Sequence, residues 1–152
     1  MKVPDEVKQF TANARLYLEA AFKFPQPTNN AVHILLLIYG WENVVIADSK
    51  VHAWAMNEDI DPKLLRDHET KLNKVSKDAY IQHFINGEEV RYSTGSQLKK
   101  LREICMYGLN DETKDVASLF REHWFSDNFS RSLKNKVEWT EMSIKAFEAL
   151  DD

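Results

Sequence analysis

The chain of 152 residues is poor in cysteine, glycine and proline. Its single cysteine, Cys105, excludes an intrachain disulfide and a multi-cysteine metal site, and this usage is typical of a reducing cytoplasm. With four glycines and four prolines, few positions can interrupt a helix. The scarcity of these residues therefore predicts long helices in a cytoplasmic protein.

Long apolar runs are also missing. The longest run, Ile34 to Tyr39, is far shorter than the ~20 residues that span a bilayer, and the N-terminus, MKVPDEVKQF, has no apolar segment of signal-peptide length. The net charge of −4 does not indicate general nucleic-acid binding, although a local basic patch is compatible with it. With 43% hydrophobic and 29% charged residues, the composition predicts one globular domain over residues 1–152, without a membrane segment.

Apolar residues recur at three- to four-residue spacing along most of the chain, which predicts an all-α, up-down bundle of about five helices. In the stretch 108–126 the apolar residues recur at no regular spacing. The loop 86–95 is compatible with a small hairpin or an irregular conformation. The predicted helices run from Pro4 to about Phe24, from about Asn29 (after Thr28 as N-cap) to Met56, from Asp61-Pro62 to about Phe84, from Ser96 to about Tyr107, and from Ser126 or Asp127 onward. The core stripe of the last helix is predicted to be Phe129, Leu133, Val137, Met142, Ala146 and Leu150.

The second helix, 29–56, is apolar nearly all round. Such a helix is central and packed on both sides, or it lies in a dimer interface. Glu42 interrupts its apolar sequence, and a buried carboxylate needs a partner. An arginine or histidine from another helix, or from a partner chain, would supply one. Asp48 and His52 are one turn apart, which predicts an ordinary i,i+4 pair that could also share a metal.

The third helix carries a histidine in its apolar stripe. His68 lies at helical spacing from Leu64 or Leu65, Leu72, Val75 and Ala79. The simplest interpretation is a core or boundary histidine that is hydrogen-bonded to a neighbouring helix. The functional alternative is a buried histidine that works as an acid, a base or a ligand.

The charged residues around His68 also allow two interpretations. Asp67 and Lys71, like Lys74 and Asp78, are spaced as exposed i,i+4 ion pairs. Arg66, Lys71, Lys74 and Lys77 could equally present a phosphate-facing surface.

Three segments carry a resemblance to the abortive-infection AbiV family, a branch of the HEPN superfamily of small helical domains. The segment ILLLIYGWENVVIADSK resembles the family's helix that ends in a Glu-Glu-Leu-Gly-Lys-like sequence, with Glu42 at an acidic position. RDHETKL resembles its H-x-x-K-L helix, with His68, Lys71 and Leu72 matching. LREICMYGLNDETKDVASL resembles its helix, tyrosine and acidic stretch, with Leu101, Arg102 and Tyr107 matching. Together the segments cover most of the chain.

The resemblance implies an HEPN-like bundle that forms a homodimer through helix 29–56. It also implies phage defence by action on RNA or translation, without a metal or cofactor. In HEPN ribonucleases two protomers form a polar cleft at the dimer interface. Here the resemblance assigns acid–base work to His68 and places Arg66, Lys71 and Arg102 nearest the phosphate, with Glu42 orienting one of them.

The sequence departs from the family pattern in two places. Val45 and Ile46 stand where the lysine after the acidic pair would fall. HEPN ribonucleases also generally have an arginine followed after four to six residues by a histidine, and none of the five histidines has an arginine at that distance. A metal-independent ribonuclease would therefore use an unusual set of residues.

Two other functions remain open. The first is a non-catalytic interaction protein on the same scaffold, which uses the apolar helix for dimerisation and another surface for a viral or host protein. The second is a bundle that binds a metal or small ligand between helices, a hypothesis that depends on Glu42, Asp48, His52 and His68.

Overall fold

The computed structural model describes residues 2–24, 31–85, 87–107 and 124–150. Helices account for most of these residues and the sheet is small, so the all-α prediction is confirmed. Thr28 and the stretch 108–123, for which the sequence suggested a helix cap and an irregular connection, lie outside the described residues. The elements are α1 (Asp5–Phe22), α2 (Ala31–Met56), α3 (Lys63–Arg66), α4 (His68–Leu72), β1 (Ile81–Ile85), β2 (Glu88–Tyr92), α5 (Gly95–Tyr107), β3 (Trp124–Phe125) and α6 (Asp127–Ala149).

Helix α2 is the central element, because it packs against α1, α4, α5 and α6. Most of its apolar side chains, such as Ile34, Leu37 and Trp41, are buried within the chain itself, whereas Val32 and Met56 are exposed. This packing accounts for most of the all-round apolar sequence. By length and composition α2 could also cross a membrane, which the short run at 34–39 did not suggest. However, 61% of its most apolar window is buried by the rest of the chain, as in a core helix.

The core face of α6 follows the prediction only in its first half. The predicted step from Val137 to Met142 is five residues, which turns the side chain by about 140° at 3.6 residues per turn. The buried face continues instead through Thr140 and Ile144. Phe129, Leu133 and Val137 are buried as predicted, whereas Met142, Ala146 and Leu150 are exposed.

The predicted third helix is wrong beyond its first turn. It begins as expected, with the Lys63 amide donating to the Asp61 carboxylate at 2.9 Å. It is broken at Asp67, whose backbone is extended (φ −113°, ψ 114°). The Asp67 carboxylate accepts hydrogen bonds from the amide and hydroxyl of Thr70, at 3.1 and 2.5 Å, and so caps a new helix, α4. His68 is therefore the first residue of a short helix.

Residues that were assigned to the end of that helix form the strand β1. This strand pairs antiparallel with β2, with His83 opposite Val90, so the uncertain loop is a hairpin. Gly87 in its turn has φ +80°, a conformation that favours glycine. The strand β3 pairs with the other edge of β1, where the His83 ring stacks on Trp124 with centroids 4.1 Å apart.

The contact between α4 and α5 depends on a glycine. A Cβ on Gly95 would lie 2.0 Å from the Asn73 side-chain oxygen and 2.9 Å from the Asn73 backbone nitrogen. Because real Cβ atoms do not approach other atoms so closely, only glycine permits this contact between the start of α5 and the end of α4. The contact sets how α5 lies beside the segment that carries His68.

Candidate functional site

A buried carboxylate in the middle of α2 is the centre of the candidate site. Glu42 is only 5% exposed. Its Oε1 accepts a hydrogen bond from Nε of Arg102 at 2.9 Å, and its Oε2 lies 2.5 Å from Nδ1 of His68. Lys71 Nζ is 3.9 Å from the same Oε2. The expectation that Glu42 needs an arginine or histidine from another helix is confirmed, and both come from the same chain.

The carboxylate fixes the orientation of the His68 ring. A carboxylate only accepts hydrogen bonds, so Nδ1 of His68 carries the hydrogen and Nε2 is the basic nitrogen of the neutral ring. The His68 side chain is 38% exposed. His68 is therefore a boundary residue with an oriented ring, an arrangement that suits either a structural hydrogen bond or acid–base chemistry.

His68 and Lys71 both reach Glu42 from the short helix α4. Both belong to α4, three residues apart, and therefore share a face of this short helix. The predicted surface pair between Asp67 and Lys71 is wrong, because Lys71 is buried beside Glu42 and Asp67 bonds Thr70. The hydrogen bonds from Thr70 lower the pKa of Asp67.

Helix α5 contributes the other cation. The Arg102 side chain is mostly buried, and its guanidinium lies over the ring of Tyr39, 5.4 Å from the ring centroid. The Tyr39 ring in turn contacts Tyr17 of α1, with centroids 5.5 Å apart. Arg102 thus links the carboxylate to a pair of aromatic rings.

An open pocket of about 260 Å³ lies between α1, α2, α3, α4 and α5. We call its charged residues, Glu42, Lys71 and Arg102, the charged side, and its aromatic residues, Phe10, Tyr17 and Tyr39, the aromatic side. His68 is not part of the lining, but it bonds the Glu42 carboxylate, which is. The lining residues are Phe10, Tyr17, Tyr39, Glu42, Asn43, Ile46, Leu65, Lys71 and Arg102.

Arg66, the fifth candidate from the sequence, is exposed at the end of α3 and does not line this pocket. It belongs to a larger basic region. Residues 63–78 and α5 together contain eight lysines and arginines and four acidic residues, a net charge of +4. Since the whole chain has a net charge of −4, the remaining residues carry −8. The positive charge is thus concentrated in the segments that contribute His68, Lys71 and Arg102.

The residues of the metal hypothesis are divided between two places. Asp48 pairs with His52 at 3.1 Å, as predicted, and also with Lys136 at 2.9 Å, whereas Glu42 pairs with His68. Among the residues that the structure describes, no group of three or more histidines, cysteines or acidic residues could hold a metal ion.

The aromatic side of the pocket was not expected from the sequence. Phe10 and Tyr17 have the spacing of an ordinary core stripe, and Tyr39 lies in the apolar run of α2. In the structure all three are only half-buried and face the pocket. Phe10, Tyr17 and Tyr39 are far from Arg102 in the sequence, so no local sequence pattern predicts that they share a pocket with it. The pocket forms because α1 and α5 pack on α2.

Four of the five candidate residues, namely Glu42, His68, Lys71 and Arg102, lie together in the structure. Comparisons with protein-family models, with curated proteins and with solved structures give no match to this chain.

Proposed function

We propose that this protein is an HEPN-like phage-defence protein that cleaves RNA without a metal at the Glu42–His68 site. The observation that carries the proposal is the carboxylate–histidine pair, with its 2.5 Å contact, beside the cations of Lys71 and Arg102. Phage defence itself rests on the resemblance to AbiV proteins.

The arrangement offers a base and two cations for metal-free cleavage of RNA. Nε2 of His68 takes the proton of a ribose 2′-hydroxyl, and the 2′ oxygen forms a bond to phosphorus. The bond from phosphorus to the 5′ oxygen breaks, and the leaving oxygen takes a proton from solvent. Arg102 and Lys71 stabilise the negative charge on the phosphate oxygens during the exchange. The products are a 2′,3′-cyclic phosphate and a 5′-hydroxyl, and His68 returns its proton to solvent.

The basic region of residues 63–78 and α5 supports an RNA substrate. Exposed lysines and arginines attract the phosphate backbone, and their effect is strongest at low salt. Arg66, Lys74 and Lys77 are exposed there. They would hold the strand beside the site rather than take part in the chemistry.

The resemblance also implies a homodimer, which we propose with a different interface. Since most of the apolar side chains of α2 are used within the chain, we place the interface at exposed apolar residues of α1 and α6. Leu16 of α1 and Trp139 and Met142 of α6 are each about 60% exposed.

The test of cleavage compares two histidines, each of which lies beside a carboxylate. Purified wild type, His68→Ala and His52→Ala are incubated with labelled total RNA in EDTA, at matched concentration and measured oligomeric state. His52 also lies beside a carboxylate, with its Nε2 3.1 Å from Oδ1 of Asp48, and is therefore the control. We expect wild type and His52→Ala to cleave RNA, and His68→Ala to be slower by about 100- to 10,000-fold. A folded His68→Ala protein with full activity would refute the proposal.

The second candidate is a non-catalytic interaction protein. The exposed pair Trp139 and Met142, three residues apart on α6, favours it, because large apolar side chains on one exposed helix face are typical of binding surfaces. Phage plating on cells that express the variants separates the two functions. Loss of protection with Trp139→Ser and Met142→Ser, but not with His68→Ala, would favour an interaction protein. Loss of protection with His68→Ala would favour cleavage, whether or not the α6 variants, which also alter the proposed dimer interface, keep protection.

A further inference from the structure

The proposed chemistry leaves one side of the pocket without a role. Tyr17 of α1 and Tyr39 of α2 line it, with ring planes inclined by 59°, and Phe10 adds a third ring. All three side chains are half-buried, so part of each ring remains accessible. Aromatic side chains at the edge of an open pocket provide a surface on which another planar ring can stack.

The aromatic side adjoins the charged side at Tyr39, because the Arg102 guanidinium lies over the Tyr39 ring. Lys71 and Arg102 bring two cations to the pocket, against the single carboxylate of Glu42. The positive excess favours an anion. The pocket thus matches a ligand that joins a planar aromatic ring to a negatively charged group.

A third feature of the lining offers hydrogen bonds to such a ring. The side-chain amide of Asn43 donates to the backbone carbonyl of Tyr39 at 2.8 Å, which fixes its orientation. Its oxygen and its second N–H can then pair with the polar edge of a base.

We infer that this pocket holds one unpaired nucleotide of single-stranded RNA, with its base against Tyr17 and Tyr39 and its phosphate at Lys71 and Arg102. The choice of an RNA nucleotide rests on the proposed function. The volume of about 260 Å³ lies just below the ~300–1,000 Å³ of pockets that enclose whole ligands, so it suits a single ring with its phosphate. A base inside a duplex is stacked and paired, and cannot enter without being flipped out.

The test measures binding without cleavage. A fluorescein-labelled 2′-O-methyl RNA of about ten nucleotides cannot undergo attack by its 2′ oxygen, and its binding to the full chain is followed by fluorescence anisotropy at low salt, where phosphate contacts are strong. Tyr39→Leu and Tyr17→Leu remove a ring but keep an apolar side chain, whereas Tyr39→Phe keeps the ring. Tyr80→Leu is the matched control, since Tyr80 lies under Arg91 and outside the pocket. Melting temperatures of all variants are compared first.

We expect Tyr39→Leu and Tyr17→Leu each to weaken binding by about ten-fold, the size of one lost base stack. Tyr39→Phe and Tyr80→Leu should stay within about two-fold of wild type, and the duplex of the same sequence should bind about ten-fold more weakly than the single strand. Equal binding of single and double strands, or equal loss in Tyr39→Leu and Tyr80→Leu, would overturn the inference. Absence of binding to the wild type would do the same.

The outcomes also separate this inference from the proposed cleavage. If binding depends on Tyr39 but the wild type cleaves no RNA, the nucleotide pocket stands and the ribonuclease proposal fails. If the wild type cleaves RNA while both leucine variants bind and cleave normally, the ribonuclease proposal stands and the pocket fails.

Discussion

Glu42 on α2 and His68 on α4 are joined by a 2.5 Å contact between Oε2 and Nδ1, although they are 26 residues apart in the sequence. The same carboxylate holds Arg102 from α5. One buried acidic group therefore ties the central helix to the two segments that carry the candidate site. Its loss should affect stability as well as any chemistry.

Glu42→Gln tests this role. Glutamine keeps the shape of glutamate but removes the charge, so Arg102 and Lys71 would remain mostly buried without a counter-charge. Breaking a buried ion pair in this way costs about 3 kcal/mol of unfolding free energy, measurable by urea denaturation. Glu141→Gln is the matched control, because Glu141 bonds Arg15 in a more exposed pair, where the loss should be below about 1 kcal/mol. Equal losses in the two variants would show that Glu42 has no special structural role.

Gly95→Ala tests the contact that places α5 beside α4. The new Cβ would meet both the side chain and the backbone of Asn73, so the two segments must move apart. We expect a loss of about 1–3 kcal/mol, the usual cost of overpacking, and a lower rate of any cleavage that uses Arg102. Ser96→Ala, at the exposed next position, should stay within about 0.5 kcal/mol of wild type in the same denaturation experiment. A fully stable Gly95→Ala protein would contradict the close contact.

The parts of the site that could be predicted follow from rules that act on single residues. Glu42 was expected to find a cationic partner because a buried carboxylate is costly without one. The sequence indicated that the partner of Glu42 would be an arginine or a histidine, but it did not indicate which one. The pairing itself depends on how α4 and α5 pack on α2, which the spacing of apolar residues does not specify.

The errors have local causes that the sequence contains. Asp67 followed three residues later by Thr70 is a helix-capping pattern, but the continuous apolar stripe suggested one long helix. The Asn86-Gly87 pair is a strong hairpin signal, yet the predicted helix was continued to about Phe84, within β1. In both places the structure follows the short capping or turn signal and not the three- to four-residue spacing of the apolar residues.

The pH dependence of stability should report on His33. This buried ring contacts the Ala21 carbonyl at 3.0 Å through Nδ1 and the Ser126 hydroxyl at 2.9 Å through Nε2, and so joins the ends of α1, α2 and α6. Burial lowers its pKa below the usual value of 6.5, although the hydrogen bond to Ala21 and the charge of Asp127 act in the opposite direction. The folded state therefore favours the neutral ring.

The sign of the effect follows from this lowered pKa. The stabilisation by neutral His33 is present above the unfolded pKa of about 6.5 and is lost as the pH falls below it, by up to about 1.4 kcal/mol per pH unit. Urea denaturation between pH 7.5 and 5.5 should show a smaller decline for His33→Gln than for wild type. His52→Gln, which changes an exposed histidine, should decline like wild type. Parallel curves for all three proteins would contradict a lowered pKa of His33.

Cys105 on α5 should be nearly unreactive in the folded protein. It packs against the hydrophobic core, and burial raises the pKa of its thiol to about 12. Since the thiolate is the reactive form, the raised pKa leaves far less of it at pH 8 than in the unfolded chain, where the pKa is about 8.5. A thiol-specific chromogenic disulfide should therefore react slowly with native protein and rapidly in concentrated guanidinium. The chain has one cysteine, so the signal belongs to Cys105 alone. Equal rates in the two conditions would mean that α5 does not pack as described, and the position of Arg102 beside Glu42 would then be wrong as well.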